Sequence, residues 1–153
     1  MNVNPKDQIL VSIQLLLFLV FTVNVDWSLG LYSPRLKNCG LIVSIFGLII
    51  ILLSVLQLNK NLSPFPTPKN NAVLVQNGLF KLVRHPIYSG IILVIIGYSV
   101  YKDSLYKGII SMLLLILFHF KTKYEEQKLS EKFPNYQSYK KKTGKFFPRL
   151  FSK

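Results

Sequence analysis

Four long apolar runs, with nearly all of the charge pushed into the segments between and after them, constrain this chain more than any other feature. The runs are residues 9–25, 36–58, 87–101 and 105–120. The first is interrupted by Ser12, Gln14, Thr22 and Asn24, and the second carries no charge after Lys37. The third holds Ser89, Gly90 and Gly97; the fourth has Lys107 near its start and His119 near its end. A helix that crosses a bilayer needs about 20 residues. The second run meets that length, and the last two stand at its lower edge, joined by Lys102-Asp103-Ser104 as a tight hairpin. Four such runs in 153 residues leave no polar face with which to cover a soluble fold. The expected fold is an all-α polytopic membrane protein, one domain over 1–153, with four transmembrane helices and a C-terminal amphipathic helical segment on the cytoplasmic side.

Composition sharpens this. Half of the residues are hydrophobic, yet the formal net charge is +13. With both termini inside, 15 of the 19 Lys and Arg residues fall on the cytoplasmic side and only Arg35, Lys37, Lys102 and Lys107 outside, the bias of the positive-inside rule. The expected location is therefore a multi-pass protein of a bacterial cytoplasmic membrane, its N-terminal segment retained rather than cleaved as a signal peptide. The apolar runs argue against nucleic acid as the partner of so basic a chain. Membrane lipid is the better partner, at about 1 kcal/mol for each Lys or Arg near an anionic surface. Cys39, the single cysteine, excludes an internal disulfide. No His-x3-His or Glu-x-x-His spacing joins His85, His119, Glu125 and Glu126, so no metal is expected.

The polar loops carry the chemistry. In Ser63-Pro64-Phe65-Pro66-Thr67-Pro68 the alternating prolines forbid helix and central strand, so the segment reads as extended, with Phe65 against the membrane surface. Val73-Leu74-Val75 and the Asn77-Gly78 turn follow, then one helical turn over 79–84. Arg84-His85-Pro86-Ile87-Tyr88-Ser89-Gly90 stands where this loop meets the third run, with Pro86 in the first turn of the helix. Arg, His and Tyr together are costly at a membrane edge. The fourth run ends in a second polar cluster, Lys121-Thr122-Lys123-Tyr124-Glu125-Glu126. Two such clusters at the ends of neighbouring runs predict one shared site. Beyond it, Tyr124, Leu129 and Phe133 mark an amphipathic helix, Pro134 a break, and Tyr136 and Tyr139 one face of a second short helix. Lys140–Lys142, Gly144 and Pro148 read as the end of order.

In this order, the motifs from Ser63-Pro64-Phe65-Pro66-Thr67-Pro68, through Leu74-Val75-Gln76-Asn77-Gly78-Leu79-Phe80 and Arg84-His85-Pro86-Ile87-Tyr88-Ser89-Gly90, to Glu125-Glu126-Gln127-Lys128-Leu129, Phe133 and Tyr136-Gln137-Ser138-Tyr139 resemble a family of membrane methyltransferases. It includes isoprenylcysteine carboxyl methyltransferases and phospholipid N-methyltransferases, and the resemblance covers about residues 59–148. It implies S-adenosylmethionine as cofactor and a lipophilic or small methyl acceptor. It carries cofactor contacts onto Ala72, Val73, Leu74, Val75, Phe80, His85, Pro86, Ile87, Tyr88 and Glu126, and catalytic roles onto Glu125, Arg84 and Lys121. Lys121 and Glu125, at i and i+4, are expected to hold each other in the empty site. Two departures stand out: Phe80 replaces a frequent tyrosine, and Lys121 replaces an arginine. Lysine cannot clamp a carboxylate in a planar, bidentate way. The acceptor thus stays open among a carboxylate, an amine and a thiol. A non-enzymatic membrane protein whose basic tail binds anionic lipid or a partner is the alternative.

Overall fold

A computed structural model describes residues 4–149 except 26, 29 and 31. Five α-helices form in chain order: α1 Pro5–Thr22, α2 Pro34–Leu58, α3 Pro86–Tyr101, α4 Leu105–Lys132 and α5 Tyr136–Lys142. Short 3₁₀ turns occupy Asn59–Asn61 and Gly78–Lys81. The described residues contain no strand, only isolated bridges. Among the described residues three helices, α1, α2 and α4, are long and apolar enough to cross a membrane; α3, with 16 residues, is shorter.

Local signals set the helix starts. Proline enters the first turn of α1, α2 and α3, where its missing N–H costs nothing. Asn4, Ser33 and Ser104 accept from the backbone N–H groups of Lys6, Leu36 and Lys107, capping α1, α2 and α4. The hairpin between α3 and α4 is as tight as expected, turning on Asp103 at φ 51°.

Helix α2 is apolar all round, but only its small residues are buried: Gly40, Ser44, Gly47 and Ser54. Its large side chains, among them Ile42, Phe46 and Leu56, face outward. The small residues let α2 lie against α3 in antiparallel contact. A Cβ at Gly40 would stand 2.6 Å from the Gly97 carbonyl oxygen, and one at Gly47 would stand 2.6 Å from that of Gly90. Ser44 Oγ completes the seam, donating to Val94 O at 3.1 Å. Close backbone approach through small residues is how helices associate where lipid removes the hydrophobic drive. The remaining core lies between α3 and α4, where Ile92, Ile95, Ile110, Leu114 and Phe118 are buried, with Phe18 and Phe21 of α1 against it.

The amphipathic helix expected after Phe120 forms as the unbroken continuation of α4, an arm of twelve more residues to Lys132 that stops before Pro134. One expectation is corrected: order does not end at Lys140. The tail folds back and is pinned by backbone hydrogen bonds from Arg84 N to Gly144 O (2.9 Å) and from His85 N to Lys145 O (3.2 Å). Ser89 Oγ adds a third tie, to Phe146 O at 2.7 Å. The physical reason is that the backbone of the tail, like Glu126 of the arm, finds partners on Arg84, His85 and Ser89.

Contacts between helix ends define two ends of the bundle. Asn4 at the start of α1 donates to the Tyr124 hydroxyl of the α4 arm (3.2 Å), so this end gathers the α1 start, the 59–85 loop, the arm, α5 and the tail. At the other end, Leu105 N donates to Trp27 O (3.0 Å), and Lys107 Nζ donates to Phe21 O (2.8 Å) and Val23 O (3.3 Å). There Lys37 Nζ lies 3.3 Å from the fully buried Asp103 carboxylate.

Candidate functional site

At the end where the polar loops meet, the backbone encloses a cavity of about 350 Å³. That lies within the usual size of small-molecule pockets. One wall is the 62–75 segment, with Pro64, Phe65 and Pro66 facing the cavity; the proline stretch expected to be extended bends over 64–67, since the fixed proline φ suits turns as well, and a turn at 70–71 follows, closed by Ala72 N donating to Lys69 O (3.0 Å). The prolines stiffen this wall, and Phe65 lines it rather than standing apart from the site. Gln57 Oε1 accepts from Leu79 N (2.9 Å) beneath Gly78, whose φ of 55° suits glycine, and so fixes the turn that delivers Phe80. The opposite wall is the start of α3 and the base of the α4 arm; α5 closes the floor with Tyr136 and Tyr139.

Of the residues singled out in the sequence, Ala72, Val73, Leu74, Val75, Phe80, Arg84, His85, Pro86, Ile87, Tyr88, Lys121 and Glu125 all line this cavity. The two polar clusters meet. The Tyr88 hydroxyl donates to Glu125 Oε2 at 3.1 Å, and His85 Nδ1 lies 4.0 Å from Glu125 Oε1.

The two adjacent glutamates differ. Glu126 is not among the lining residues. It turns behind the site and takes three cationic or polar partners: Arg84 Nε at 2.8 Å, Lys140 Nζ at 2.8 Å and His85 Nε2 at 3.2 Å. Burial alone would raise its pKa, but the hydrogen bonds from His85, Lys140 and Arg84 outweigh that and hold it well below the ordinary carboxylate range. An ionised carboxylate only accepts, so His85 Nε2 carries the shared proton. Arg84 also donates from Nη1 to Lys140 O (3.0 Å) and to Thr143 O, capping the end of α5. Glu125 shifts the other way. Desolvation raises its pKa more than His85, the Tyr88 hydrogen bond and Lys121 lower it, and the charge of Glu126 adds to the rise. A carboxylate poised above its usual value at a cavity wall is the signature of a functional group.

Lys121 does not pair with Glu125. Its buried ammonium donates instead to Gln14 Oε1 of α1 (2.5 Å) and to Pro64 O (3.1 Å), and lies 5.7 Å from the Tyr88 ring centre. Two neutral acceptors already surround it, and Glu125 is engaged by Tyr88, so the i, i+4 pair does not close. Gln14 was visible only as an amide interrupting an apolar run; its place at the site depends on a contact 107 residues away in sequence. Asn61, Tyr136 and Tyr139 also line the cavity without having been singled out as site residues. Tyr139 donates its hydroxyl to Phe80 O at 2.6 Å. Tyr136 is fully buried, and its hydroxyl has no hydrogen-bond partner among the described residues. Among those residues no group of three or more His, Cys, Asp or Glu could hold a metal ion.

The profile described as phospholipid methyltransferase matches residues 36–136, from α2 to the start of α5 and well over half of the chain. The chain belongs to that family. It is also similar to two bacterial proteins. Over 83 residues, 54% of this chain, it is 30% identical to the cobalt-zinc-cadmium resistance protein CzcN of Cupriavidus metallidurans. Over 83 residues it is 28% identical to the nickel-cobalt-cadmium resistance protein NccN of Alcaligenes xylosoxydans xylosoxydans. The match spans about two fifths of each relative's own length, 38% and 39%.

Proposed function

We propose that this protein is an integral membrane methyltransferase that uses S-adenosylmethionine and modifies a lipid-like or membrane-partitioned acceptor bearing a carboxylate, amine or thiol. The observation that carries the reading is the convergence of His85, Tyr88 and Glu125 on one cavity at the end of the apolar helices. The residues fit such a cofactor. The Tyr88 hydroxyl becomes a donor suited to its carboxylate on turning from Glu125 to the ligand, Glu125 is an acceptor suited to its amine or ribose hydroxyls, and His85, whose Nε2–H is held by Glu126, presents its Nδ1 edge beside Glu125. The N–H of Val73 is taken by Asn61 Oδ1 at 2.8 Å, so the backbone N–H groups of Leu74 and Val75 are the ones left to read a purine edge. Phe80 and Ile87 supply apolar wall. When bound, S-adenosylmethionine supplies an electrophilic methyl group on a sulfonium centre.

The chain's own work is alignment and exclusion of water, which displacement chemistry needs more than a strong base. Glu126 acts behind the cavity and Arg84 at its edge: together they lock α5, and Glu126 orients His85. Lys121, held by Gln14 and Pro64, sets the charge of the wall between α1 and α4. In the membrane we place four spans, with α3 crossing at the low edge of length in the shelter of α2 and α4. The cavity end and both described ends of the chain lie on the cytoplasmic side, where the basic arm and tail meet anionic lipid. Incubation with methyl-labelled S-adenosylmethionine and a membrane extract tests the reading. Label transferred to an extractable lipid or membrane-partitioned product is expected; no transfer beyond a Glu125→Gln control would refute it.

A further inference from the structure

After α5 the chain passes the first turn of α3 as a strap, residues 143–149, tied to the backbone of the site. Arg84 N and His85 N donate to its Gly144 and Lys145 carbonyls, and Gly144 N donates back to Leu82 O (3.2 Å). The Phe146 ring rests 6.3 Å from that of His85. The turn within the strap admits only glycine, since a Cβ at Gly144 would run into the Phe147 carbonyl oxygen. Lys145 sets the level of the strap: its Nζ donates to His119 O (3.1 Å), where the apolar part of α4 ends. On that level lipid gives way to water.

The outer face of the strap is of another kind. Phe147 is 68% exposed, and it borders a shallow concavity together with Lys141 and Arg149. Lys141, Lys142 and Arg149 are exposed and have no ion-pair partner among the described residues. An outward aromatic ring among unpaired cations at a lipid boundary complements an anionic bilayer surface. The ring enters the headgroup layer and the cations meet phosphates. We propose that residues 141–149 dock on the anionic surface of the chain's own membrane, and that docking steadies His85, so that membrane charge regulates the site. The proposal rests on the membrane orientation and methyltransferase reading given above. A strap that leaves its place takes with it the Lys145 carbonyl and the Phe146 ring, two supports of His85.

The test is hydrogen exchange on the full chain in lipid nanodiscs without ligand, in phosphatidylcholine alone and in phosphatidylcholine mixed with phosphatidylglycerol. Each cation near an anionic surface contributes about fivefold in attraction. The amides of Arg84, His85 and Gly144 should therefore exchange roughly fivefold or more slowly in the anionic membrane. S-adenosylhomocysteine should bind more tightly there. A Lys141→Gln/Lys142→Gln/Phe147→Ser variant should match wild type in the neutral membrane and lose the response to anionic lipid. Gly144→Val keeps every charge but cannot make the turn, so its Arg84 and His85 amides should exchange fast in both membranes. Equal exchange of the wild type in the two membranes would overturn the docking, as would a full response in the triple variant. A Gly144→Val chain that still responded at Arg84 and His85 would overturn the coupling through the strap. Slowed exchange with no binding of S-adenosylhomocysteine in either membrane would instead overturn the methyltransferase reading and leave the docking standing.

Discussion

The two ends of the helix bundle both bury charge, and they do so for different purposes. At the end away from the cavity, Lys107 caps the last carbonyls of α1 and Lys37 stands beside Asp103. Lys107 is thus satisfied by backbone carbonyls, while the buried Asp103 carboxylate makes no hydrogen bond among the described residues and has the Lys37 ammonium beside it. At the cavity end one carboxylate, Glu126, is satisfied as Lys107 is, with three partners of its own. Its neighbour Glu125 is not: it shares one hydroxyl and faces a cavity that would hold a small molecule. The same residue type, one position apart, serves as clamp and as wall. Their pKa values move in opposite directions because one carboxylate gained hydrogen bonds and the other mainly lost water.

Substitutions at the two ends can break this comparison. Glu126→Ala should have the largest effect on stability, about 3–5 kcal/mol, since it leaves Arg84 and His85 buried without their counter-charge. Thermal or denaturant unfolding in detergent measures it; a loss under about 1 kcal/mol would remove the clamp from the account. Asp103→Asn should cost less, about 1–3 kcal/mol, because Lys37 is partly exposed and can turn to water. It should leave the affinity for S-adenosylhomocysteine unchanged, whereas weakened binding would mean that the far end is coupled to the site. Glu125→Gln should reverse that pattern. Stability should hold, and cofactor affinity should fall by about one to two decades, or about 1.5–3 kcal/mol for a lost charge-assisted contact.

Acid should separate the neighbours without mutation. Glu125, raised above the ordinary glutamate value of 4.5, takes up its proton first as pH falls, so ligand affinity should decline while the fold persists. Glu126 is depressed. Its contribution to stability is complete above about 4.5 and is lost only as pH falls through its much lower folded value. Binding and unfolding followed over the same pH range should show two separate transitions, and a single coincident one would contradict the split. The smallest effect belongs to Glu131→Gln. Glu131 is exposed and paired with Lys128 on the arm, so both stability and affinity should match wild type.

Much of this was legible in the chain because hydropathy and proline act locally. The four apolar runs became helices displaced by only a few residues at their starts, and Pro86 entered the first turn of α3 as its missing N–H permits. The meeting of Arg84-His85-Pro86 with Glu125 and Glu126 followed from two runs joined by a three-residue hairpin. What the sequence did not reveal are choices among competing partners. Lys121 had Glu125 one turn away yet took Gln14 and Pro64, because α1 packs against α4, which no local pattern records. The tail closed over Arg84 for the same reason: the Arg84 guanidinium found the Lys140 and Thr143 carbonyls, 56 and 59 residues distant.

The central claim, that one end of the bundle holds the ligand and the other is framework, is tested most directly by hydrogen exchange on the detergent-purified chain with and without S-adenosylhomocysteine. Slower exchange is predicted in the segments containing 72–75, 85–88 and 121–126, with no change over 102–107. Exchange unaltered by the ligand everywhere, or slowed at 102–107 instead, would contradict it.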